Sequence, residues 1–383
     1  MAPYYQPIVS LQTRKIAGYE TLGRRIVDGK PVSLGSFFAD PMISEDTHLE
    51  IDRTLRDRAI SNVRRLEPNQ LLFLNLKPSW IYRQYKTNGK LKTLEMIDKH
   101  AVNPEQIVIE ITEEYFKGEL TELTEIVNMY KDKGCTVAVD DVGSGFSNFD
   151  RIALIQPKIL KVDLNILRKS ATHDGYKALM RSFSILSSQI GASLLVEGVE
   201  TRQDLHQSLR VGARNVQGYL FSEARAEFMP SDRFSDMLKE ELTLFSNEEF
   251  AKLQHLMALE DSFESLFSPA LTLHDDEHAD RLIESVLDRV YTNCIRIFIC
   301  QEDGVQISSN FQRADGGRWM KQPQYRGSNW IWRPYFLPNI ILMNKWGRGI
   351  LSTVYTDLDS SSLIQTYSFP LGNGYYMFLD LEI

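Results

Sequence analysis

The feature that most constrains the fold is an alternation of short apolar runs with longer amphipathic segments between Tyr4 and Ser222. Most runs are four to seven residues long and rich in Val, Ile and Leu, as is typical of buried parallel strands. The runs are residues 5–11, 16–22, 71–76, 107–111, 136–139, 159–162, 194–196 and 216–221. The segments between them have apolar residues at helical spacing, and Gly134 and Gly191 stand where two of the helices should end. This alternation predicts an α/β domain, either a closed barrel or an open doubly wound sheet.

Polar residues at the ends of the runs favour the closed barrel. They are Glu20, Asn75, Glu110, Asp140 with Asp141, Lys161 with Asp163, Glu197 and Gln217. In a TIM barrel the carboxyl ends of all strands converge on one site. An open sheet would instead gather its ligand-binding residues mainly from two or three strands. We therefore predict a TIM-like (β/α)8 barrel.

The pattern changes near residue 230. Residues 231–267 have the apolar spacing of a long amphipathic helix, and the sequence beyond them is aromatic and strand-like. Hairpin turns are indicated by Glu-Asp-Gly at 302–304 and Gly-Asn-Gly at 372–374. We predict three parts: the barrel (1–230), a helical connector (231–267) and a small α+β domain with an antiparallel sheet (268–383).

Charge and hydropathy exclude several classes of protein. The net charge of −8 argues against binding a nucleic acid polymer through bulk electrostatics. No apolar run approaches the roughly 20 residues of a membrane span, and the amino terminus lacks a signal-peptide pattern. Three cysteines without CxxC spacing argue against a disulfide framework or a cysteine zinc site. We expect a cytoplasmic protein.

The strand-end acids indicate a metal site. Glu20, Asn75, Glu110 and Asp140 offer oxygen ligands only, which suits Mg²⁺ or Mn²⁺ rather than zinc. Asp140 and its neighbour Asp141 could bridge two ions, and paired ions are a recurring device for phosphodiester hydrolysis. The alternative is that these acids cap helices or pair with arginines.

Two cations also belong to the predicted site. Lys161 lies within a strand, where it needs anionic neighbours, and it could hold an attacking water or neutralise charge in the transition state. Its alternative role is a structural ion pair with Asp163. Arg24, four residues after Glu20, could contact a phosphate bidentately or lie on the surface.

Eight ordered blocks resemble the EAL-domain cyclic di-GMP phosphodiesterases and span residues 4–225. They are Tyr-Gln-Pro-Ile-Val (5–9), Gly-Tyr-Glu-Thr-Leu-Gly-Arg (18–24), Asn-Leu-Lys-Pro (75–78), Glu-Ile-Thr-Glu (110–113), Asp-Asp-Val-Gly-Ser-Gly (140–145), Lys-Val-Asp (161–163), Glu-Gly-Val-Glu-Thr (197–201) and Gln-Gly-Tyr-Leu-Phe-Ser (217–222). The resemblance implies hydrolysis of cyclic di-GMP to linear pGpG with two Mg²⁺ or Mn²⁺ ions.

The resemblance also implies a role for each matching residue. The first metal would be bound by Glu20, Asn75, Glu110 and Asp140, and the second by Asp140, Asp141 and Glu197. Lys161, Glu197 and Glu20 would be catalytic, with Lys161 holding or activating the water. Substrate contacts would come from Gln6, Arg24, Gln217 and Asp163. Glu113 would anchor the 140–147 loop. Glu200 would act on a metal-bound water without binding a metal itself. The chain departs from the family at Thr21, Gly23 and Val142.

The carboxyl-terminal half resembles the YkuI-type arrangement, in which a PAS-like (Cache-like) sensor domain follows an EAL domain. The resemblance is carried by Trp330-Ile-Trp332-Arg333-Pro334-Tyr335-Phe336 and by Tyr355-Thr-Asp357-Leu-Asp359. The aromatic residues with one arginine could line a pocket for a small anionic or amphipathic ligand, or they could form the core of a dimer contact. We expect a regulated phosphodiesterase that forms a homodimer through the connector. The alternatives are a cyclic di-GMP receptor without turnover and a purely structural scaffold.

Overall fold

The computed structural model describes residues 1–111, 120–140, 142, 149–267, 271–314, 316–358, 360 and 362–383. The chain divides into two compact units, Met1–Phe245 and Ser246–Ile383. Asp141 and Glu113, two of the predicted site residues, lie outside the described residues.

A closed sheet forms the centre of the first unit. Its strands, in the part of the chain described, are β1 (Ala2–Ser10), β2 (Ile16–Val27), β3 (Lys30–Ser33), β4 (Leu71–Leu76), β5 (Ile107–Ile111), β6 (Thr136–Val139), β7 (Ile159–Asp163), β8 (Ser193–Glu197) and β9 (Ala213–Gln217). The hydrogen-bonded order is β1-β9-β8-β7-β6-β5-β4-β2-β3, and an additional pairing of β1 with β2 closes the ring. Eight of these strands therefore make a barrel, with β3 attached outside, and the predicted TIM-like barrel is confirmed.

One strand of the barrel runs in the opposite direction to the others. β1 is antiparallel to both β2 and β9, while the other neighbours in the ring pair in parallel. Only residues 11–15 join β1 to β2, and a parallel crossover needs a dozen residues or more. The expectation of a parallel sheet is therefore correct for seven strands and wrong for β1, because the connection is too short to hold a helix.

Helices cover the outside of the barrel. Those described are α1 (Gly35–Ala39), α2 (Glu45–Ser61), α3 (Pro78–Asn88), α4 (Lys92–Lys99), α5 (Leu120–Asp132), α6 (Phe149–Ile155), α7 (Leu164–Ser170), α8 (Asp174–Ile190) and α9 (Arg202–Arg210). Local sequence sets their ends: Gly191 ends α8 in the left-handed conformation, and Thr201 with Asp204 forms a capping box at the start of α9.

The apolar core of the first unit has two layers. Alternate strand residues point to opposite sides of the sheet. Inside the ring, one from each of six strands, are Ile8, Phe73, Val108, Ala138, Ile159 and Leu195. The strand residues on the other side, such as Ile109 and Ile111, pack against the helices. A residue two positions after an interior residue faces the interior as well, and this rule places the site residues.

The second unit is built on an antiparallel sheet. Its described helices and strands, starting with the long helix that enters from the first unit, are α10 (Ser235–Phe267), α11 (Ala279–Glu284), β10 (Cys294–Gln301), β11 (Asn310–Arg313), β12 (Trp319–Gln322), α12 (Phe336–Trp346), β13 (Ile350–Leu351), β14 (Tyr355–Thr356), β15 (Leu363–Gly372) and β16 (Tyr375–Glu382). The strand order is β12-β11-β10-β16-β15-β13, with β14 also paired to β15. The predicted α+β domain is confirmed.

Apolar side chains pack on both faces of this sheet. In β10, Ile297 and Ile299 pack with Phe263 of α10, whereas Phe298 packs with Phe336 of α12 on the other face. Cys135, Cys294 and Cys300 are buried free thiols. Among the described residues, no helix is long and apolar enough to cross a membrane.

Candidate active site

Lys161 of β7 lies at the centre of a cluster of carboxylates. Its side chain is 1% exposed. The ammonium nitrogen Nζ is 2.7 Å from Glu110 Oε1, 2.5 Å from Glu197 Oε1 and 3.2 Å from Asp140 Oδ1. Glu20 Oε2 is the next nearest, at 3.9 Å. Four carboxylates, from β2, β5, β8 and the residue directly after β6, therefore surround one ammonium group.

Strand register explains why these side chains meet. Glu110 lies two residues after Val108, so it faces the barrel interior, and it pairs directly with Asn75 of the neighbouring strand. Lys161 lies two residues after the interior residue Ile159. These polar residues lie near the carboxyl ends of their strands, where the barrel opens.

Two amides hold the carboxylate of Glu20. Asn75 Nδ2 donates to Glu20 Oε1 over 2.7 Å, and Gln217 Nε2 donates to Glu20 Oε2 over 2.6 Å. Gln217 Nε2 also donates to Gln6 Oε1 at 3.1 Å, and Gln6 Nε2 donates to the backbone oxygen of Ser222 at 3.1 Å. Both oxygens of Glu20 are therefore oriented by fixed partners.

Burial and mutual charge dominate the electrostatics of the cluster. Burial raises the pKa of Glu110 well above its usual range, although the positive charge of Lys161 opposes this shift. Burial likewise raises the pKa of Glu197 to about 8, against the effect of Lys161. Burial lowers the pKa of Lys161, but the surrounding carboxylates outweigh it and leave the pKa well above its usual range. The ammonium thus stays charged.

The donor set fits divalent cations in its chemistry. Four carboxylates face one ammonium, so negative charge is in excess when all are ionised. Glu110 Oε2 is buried and has no hydrogen-bond partner among the described residues. All candidate ligands are oxygen donors, as Mg²⁺ and Mn²⁺ prefer. Within the described residues, however, no three His, Cys, Asp or Glu side chains are arranged as a metal-binding group. The Lys161 ammonium lies among them instead.

Two residues predicted for the site make other contacts. Asp163 is the N-cap of α7, and its Oδ1 accepts a hydrogen bond from the backbone N–H of Asn165 at 2.6 Å. Glu200 Oε2 accepts from Arg168 Nη2 at 3.0 Å, and its side chain is half exposed. Their roles toward substrate or metal stay predictions. The alternative of a Lys161–Asp163 pair does not match the contacts observed for either residue.

A cavity of about 260 Å³ adjoins the cluster at Asn75 and contains Arg24. Sequence reasoning missed most of its lining. Lys77 lies in it beside Trp80, with the ammonium 4.6 Å from the centre of the Trp80 ring. Lys77 follows Asn75 by two residues at a strand end, a signal that could have been used. Phe38 and Asp52 come from segments with no motif and could not have been found this way.

In the second unit, Arg333 is buried among aromatic rings. Its guanidinium carbon lies 4.6 Å from the ring centre of Trp332 and 5.4 Å from that of Tyr355. Trp330 is 5.7 Å from Phe298 in a cluster with α12. The residues predicted as pocket or core thus pack on one another here. A small ligand of this unit stays a prediction.

Comparison with known proteins identifies the family. The EAL domain model matches residues 1–224, and a model described as an EAL-domain associated signalling protein domain matches residues 228–383. The chain belongs to the EAL-domain family. It is 34% identical over 386 residues to the uncharacterised EAL-domain containing protein YkuI of Bacillus subtilis, covering 99% of this chain and 93% of YkuI. The cyclic di-GMP phosphodiesterase RocR of Pseudomonas aeruginosa is 28% identical over 242 residues, which are 61% of this chain and 58% of RocR.

Solved structures agree with this assignment. The crystal structure of B. subtilis YkuI, in complex with substrate c-di-GMP and calcium, has a TM-score of 0.92 at 34% identity and covers 100% of this chain and 96% of that one. A standalone EAL protein of Vibrio cholerae in its c-di-GMP-bound form has a TM-score of 0.52 at 30% identity, covering 60% of this chain and 94% of that chain. Both of these EAL proteins bind c-di-GMP.

Proposed function

We propose that this chain hydrolyses cyclic di-GMP to linear pGpG by adding water across one of the two phosphodiester bonds. The observation that carries the proposal is the cluster of Glu20, Glu110, Asp140 and Glu197 around Lys161 at the carboxyl end of the barrel. Relatives named as cyclic di-GMP phosphodiesterases, or probable ones, are similar to the part of the chain that supplies these residues.

The protein's own groups would orient and neutralise the reactants. Arg24 and Lys77, in the adjoining cavity, supply positive charge for the phosphates of the substrate. Asn75 and Gln217 fix the two oxygens of Glu20. Lys161 Nζ, which carries three protons, would donate a hydrogen bond to the attacking water and hold it in line. We propose Gln6 as a further substrate contact through Gln217.

Two divalent cations would complete the site. We propose Glu20, Asn75, Glu110 and Asp140 as ligands of the first, and Asp140, Asp141 and Glu197 as ligands of the second. The ions would polarise the phosphodiester and make the attacking water easier to deprotonate. Structures of other EAL proteins described as complexes with cyclic di-GMP contain calcium or manganese, which supports a divalent cofactor. Mg²⁺ or Mn²⁺ is our proposal here.

The direct test is turnover. We expect the full chain with Mg²⁺ or Mn²⁺ to convert cyclic di-GMP to pGpG, followed by chromatography, and Glu20→Ala to abolish product because it removes a ligand and the partner of two amides. Lys345→Ala, an exposed change in the second unit, is the control and should leave turnover unchanged. Product formation that Glu20→Ala does not reduce would overturn the site assignment.

A receptor without turnover is the second candidate. The observation in its favour is that Lys161 already pairs with Glu110 and Glu197 at 2.7 and 2.5 Å, so it competes with a metal for these carboxylates. Tight binding of cyclic di-GMP in the turnover assay, with no pGpG formed, would support the receptor and overturn the enzyme.

We also propose that residues 231–267 connect the catalytic barrel 1–230 to a regulatory domain 268–383, and that the connector mediates a homodimer. Phe250, Leu253 and Met257 are exposed on α10 and spaced by three and four residues, so they share one helix face. In sedimentation velocity at micromolar concentration we expect twice the chain mass of 44.1 kDa. Leu253→Asp should yield monomer, whereas Ile185→Asp, an exposed change on α8, should not. A parent protein that is only monomeric would contradict the proposal.

A further inference from the structure

A second concavity lies at the end of the barrel opposite the Lys161 cluster. Its volume is about 840 Å³, against about 260 Å³ for the cavity beside Arg24. Apolar residues at the first positions of the strands, Ile16, Leu71 and Ile159, form part of its lining. It therefore opens at the amino ends of the parallel strands, where nothing in the proposed reaction takes place.

The rim of this concavity is positively charged. Of its four charged lining residues, Lys15, Lys158 and Arg214 are cations and Glu67 is the single acid. In the part of the chain that the structure describes, none of the three cations has an ion-pair partner. The positive charge of Lys158 also acts on a neighbouring cation. The pKa of Lys131 is lowered mainly by its burial and in addition by the charge of Lys158. A protein with a net charge of −8 thus carries a local region of unneutralised positive charge.

Strand register places the three cations in one row. Lys158 directly precedes Ile159, which pairs with Ser193 of β8. Arg214 is on β9, and Ser10 of β1 pairs with Asn215 beside it and donates its N–H to the carbonyl of Lys15. Two strand spacings, roughly 10 Å at the backbone, separate Lys158 from Arg214. The same distance separates Arg214 from Lys15.

A β-bulge turns Arg214 out of the sheet. Leu194 pairs with Ala213 and Leu195 pairs with Asn215, so Arg214 is the extra residue between them. Bulges redirect a side chain and often occur next to functional sites. In the same rim, a register shift between Ile8 and Val9 leaves Ala17 as an extra residue on β2.

Hydroxyl groups complete the polar lining. Ser10, Thr13, Ser184, Ser187, Ser188 and Ser193 all contribute. Cations spaced at roughly 10 Å, hydroxyls between them and an apolar floor match a ligand that carries at least two negative charges on a partly apolar body. The concavity is large enough for a nucleotide, since ligand pockets of this size class hold drug-sized molecules.

We propose that the amino-terminal mouth of the barrel is a binding site for a phosphate ester of nucleotide size, separate from the candidate active site. Lys158, Arg214 and Lys15 bind its phosphates, and the floor around Ile16 and Leu71 contacts its organic part. The proposal does not depend on hydrolysis of cyclic di-GMP.

The test is isothermal titration calorimetry of the full chain with ADP as the probe, in a chelating buffer without divalent cations. Under these conditions the carboxylate cluster of the candidate active site repels anions. The calorimetry therefore reports on the amino-terminal mouth of the barrel alone. We expect saturable binding to one site that weakens with added salt. Arg214→Gln and Lys158→Gln should each weaken it about tenfold, since each removes a charged hydrogen-bond donor. Lys345→Gln, which removes an exposed lysine elsewhere, should leave it unchanged.

Several results would overturn the proposal. Absence of saturable binding, or equal affinity in the parent, Arg214→Gln and Lys158→Gln, would show that the rim is not the site. If Lys345→Gln weakened ADP binding as much as Arg214→Gln and Lys158→Gln do, the binding would be an unspecific attraction between charges. Inorganic phosphate binding as tightly as ADP would rule out a nucleotide-sized ligand. Melting curves of the variants, expected to match the parent because the exchanged side chains are exposed, exclude loss of binding through unfolding.

Discussion

Lys161→Met is expected to reduce cyclic di-GMP turnover by about two to three orders of magnitude, the range lost when one preorganised hydrogen-bond donor is removed from an active site. The ammonium is within 3.2 Å of three carboxylates and is the one cation among the contacts observed for the described cluster. Methionine has a similar length but cannot donate a hydrogen bond to an attacking water. The measurement is initial rate of pGpG formation at saturating Mn²⁺.

The same variant should also change stability in a metal-dependent way. Removing one partner of a buried ion pair typically costs about 3–5 kcal/mol, because the other charge is left uncompensated. Without divalent ions, the melting temperature of Lys161→Met should therefore lie below that of the parent. Added Mn²⁺ should raise it more than in the parent, because the ion no longer competes with the ammonium.

Lys345→Met is the control for both measurements, since it removes an exposed lysine of the second unit. Parent-like turnover in Lys161→Met would rule out a catalytic role for Lys161. Melting temperatures that respond equally to Mn²⁺ in parent and variant would show that ammonium and metal do not compete for the same carboxylates.

Asp357→Asn is expected to destabilise the second unit by about 3–5 kcal/mol at pH 7. Arg296 forms a bidentate pair with Asp357, with distances of 3.1 and 3.0 Å, and Arg296 Nη1 is also 3.0 Å from Asp380 Oδ2. All three residues are buried. Urea unfolding followed by tryptophan fluorescence reports on this unit, because four of the five tryptophans lie in it.

The destabilisation should depend on pH. Burial raises the pKa of Asp357, but hydrogen bonds from Arg296 and Ser360 outweigh it and lower the pKa to about 2, from an ordinary value of 3.8. A carboxyl whose pKa is lower in the folded state stabilises the fold above its ordinary pKa, and this stabilisation is lost as the pH falls toward 2. The difference in unfolding free energy between the parent and Asp357→Asn should therefore be largest above about pH 4 and should become smaller as the pH falls below it.

Two further variants sharpen this test. Asp288→Asn removes an exposed carboxylate of the same unit and should change the unfolding free energy by less than about 0.5 kcal/mol. The double variant Arg296→Met with Asp357→Asn should be less stable than Asp357→Asn alone, because it also removes the cationic partner of the buried Asp380. A difference in unfolding free energy between the parent and Asp357→Asn that does not change below about pH 4 would contradict the role assigned to the Asp357 charge.

Much of the candidate site could be predicted because strand ends are readable from sequence. Glu110 and Lys161 each follow an apolar run of Val, Ile and Leu, and a parallel barrel brings such positions to one end whatever their separation in the chain. The geometry within the site could not be predicted. Lys161 pairs with Glu110 and Glu197 rather than with Asp163, which lies on the same strand face, because of how the chain continues after β7. Asp163 comes two residues after Lys161, but its carboxylate turns to cap α7.

Long-range features were the least accessible. The buried Arg296–Asp357–Asp380 network joins residues up to 84 positions apart, and only Asp357 lies in a stretch that the sequence singles out. The reversed direction of β1 was readable in principle, since five residues cannot form a crossover. The positive rim formed by Lys15, Lys158 and Arg214 could not be predicted from the sequence. Each of these is an ordinary surface residue, and only the closed ring of strands brings them to the same rim.

The reversed β1 also affects the order of folding. β1 and β2 are joined by five residues and can pair early, whereas the contact of β1 with β9 joins residues separated by about 200 positions. Loop-closure entropy makes such distant pairings slow, so we expect the β1–β9 seam to close last. Gln6 lies on one side of this seam and Gln217 on the other, and their hydrogen bond leads directly to Glu20. A correctly oriented Glu20 is therefore a marker of complete folding, and intermediates with an open seam would lack a competent site.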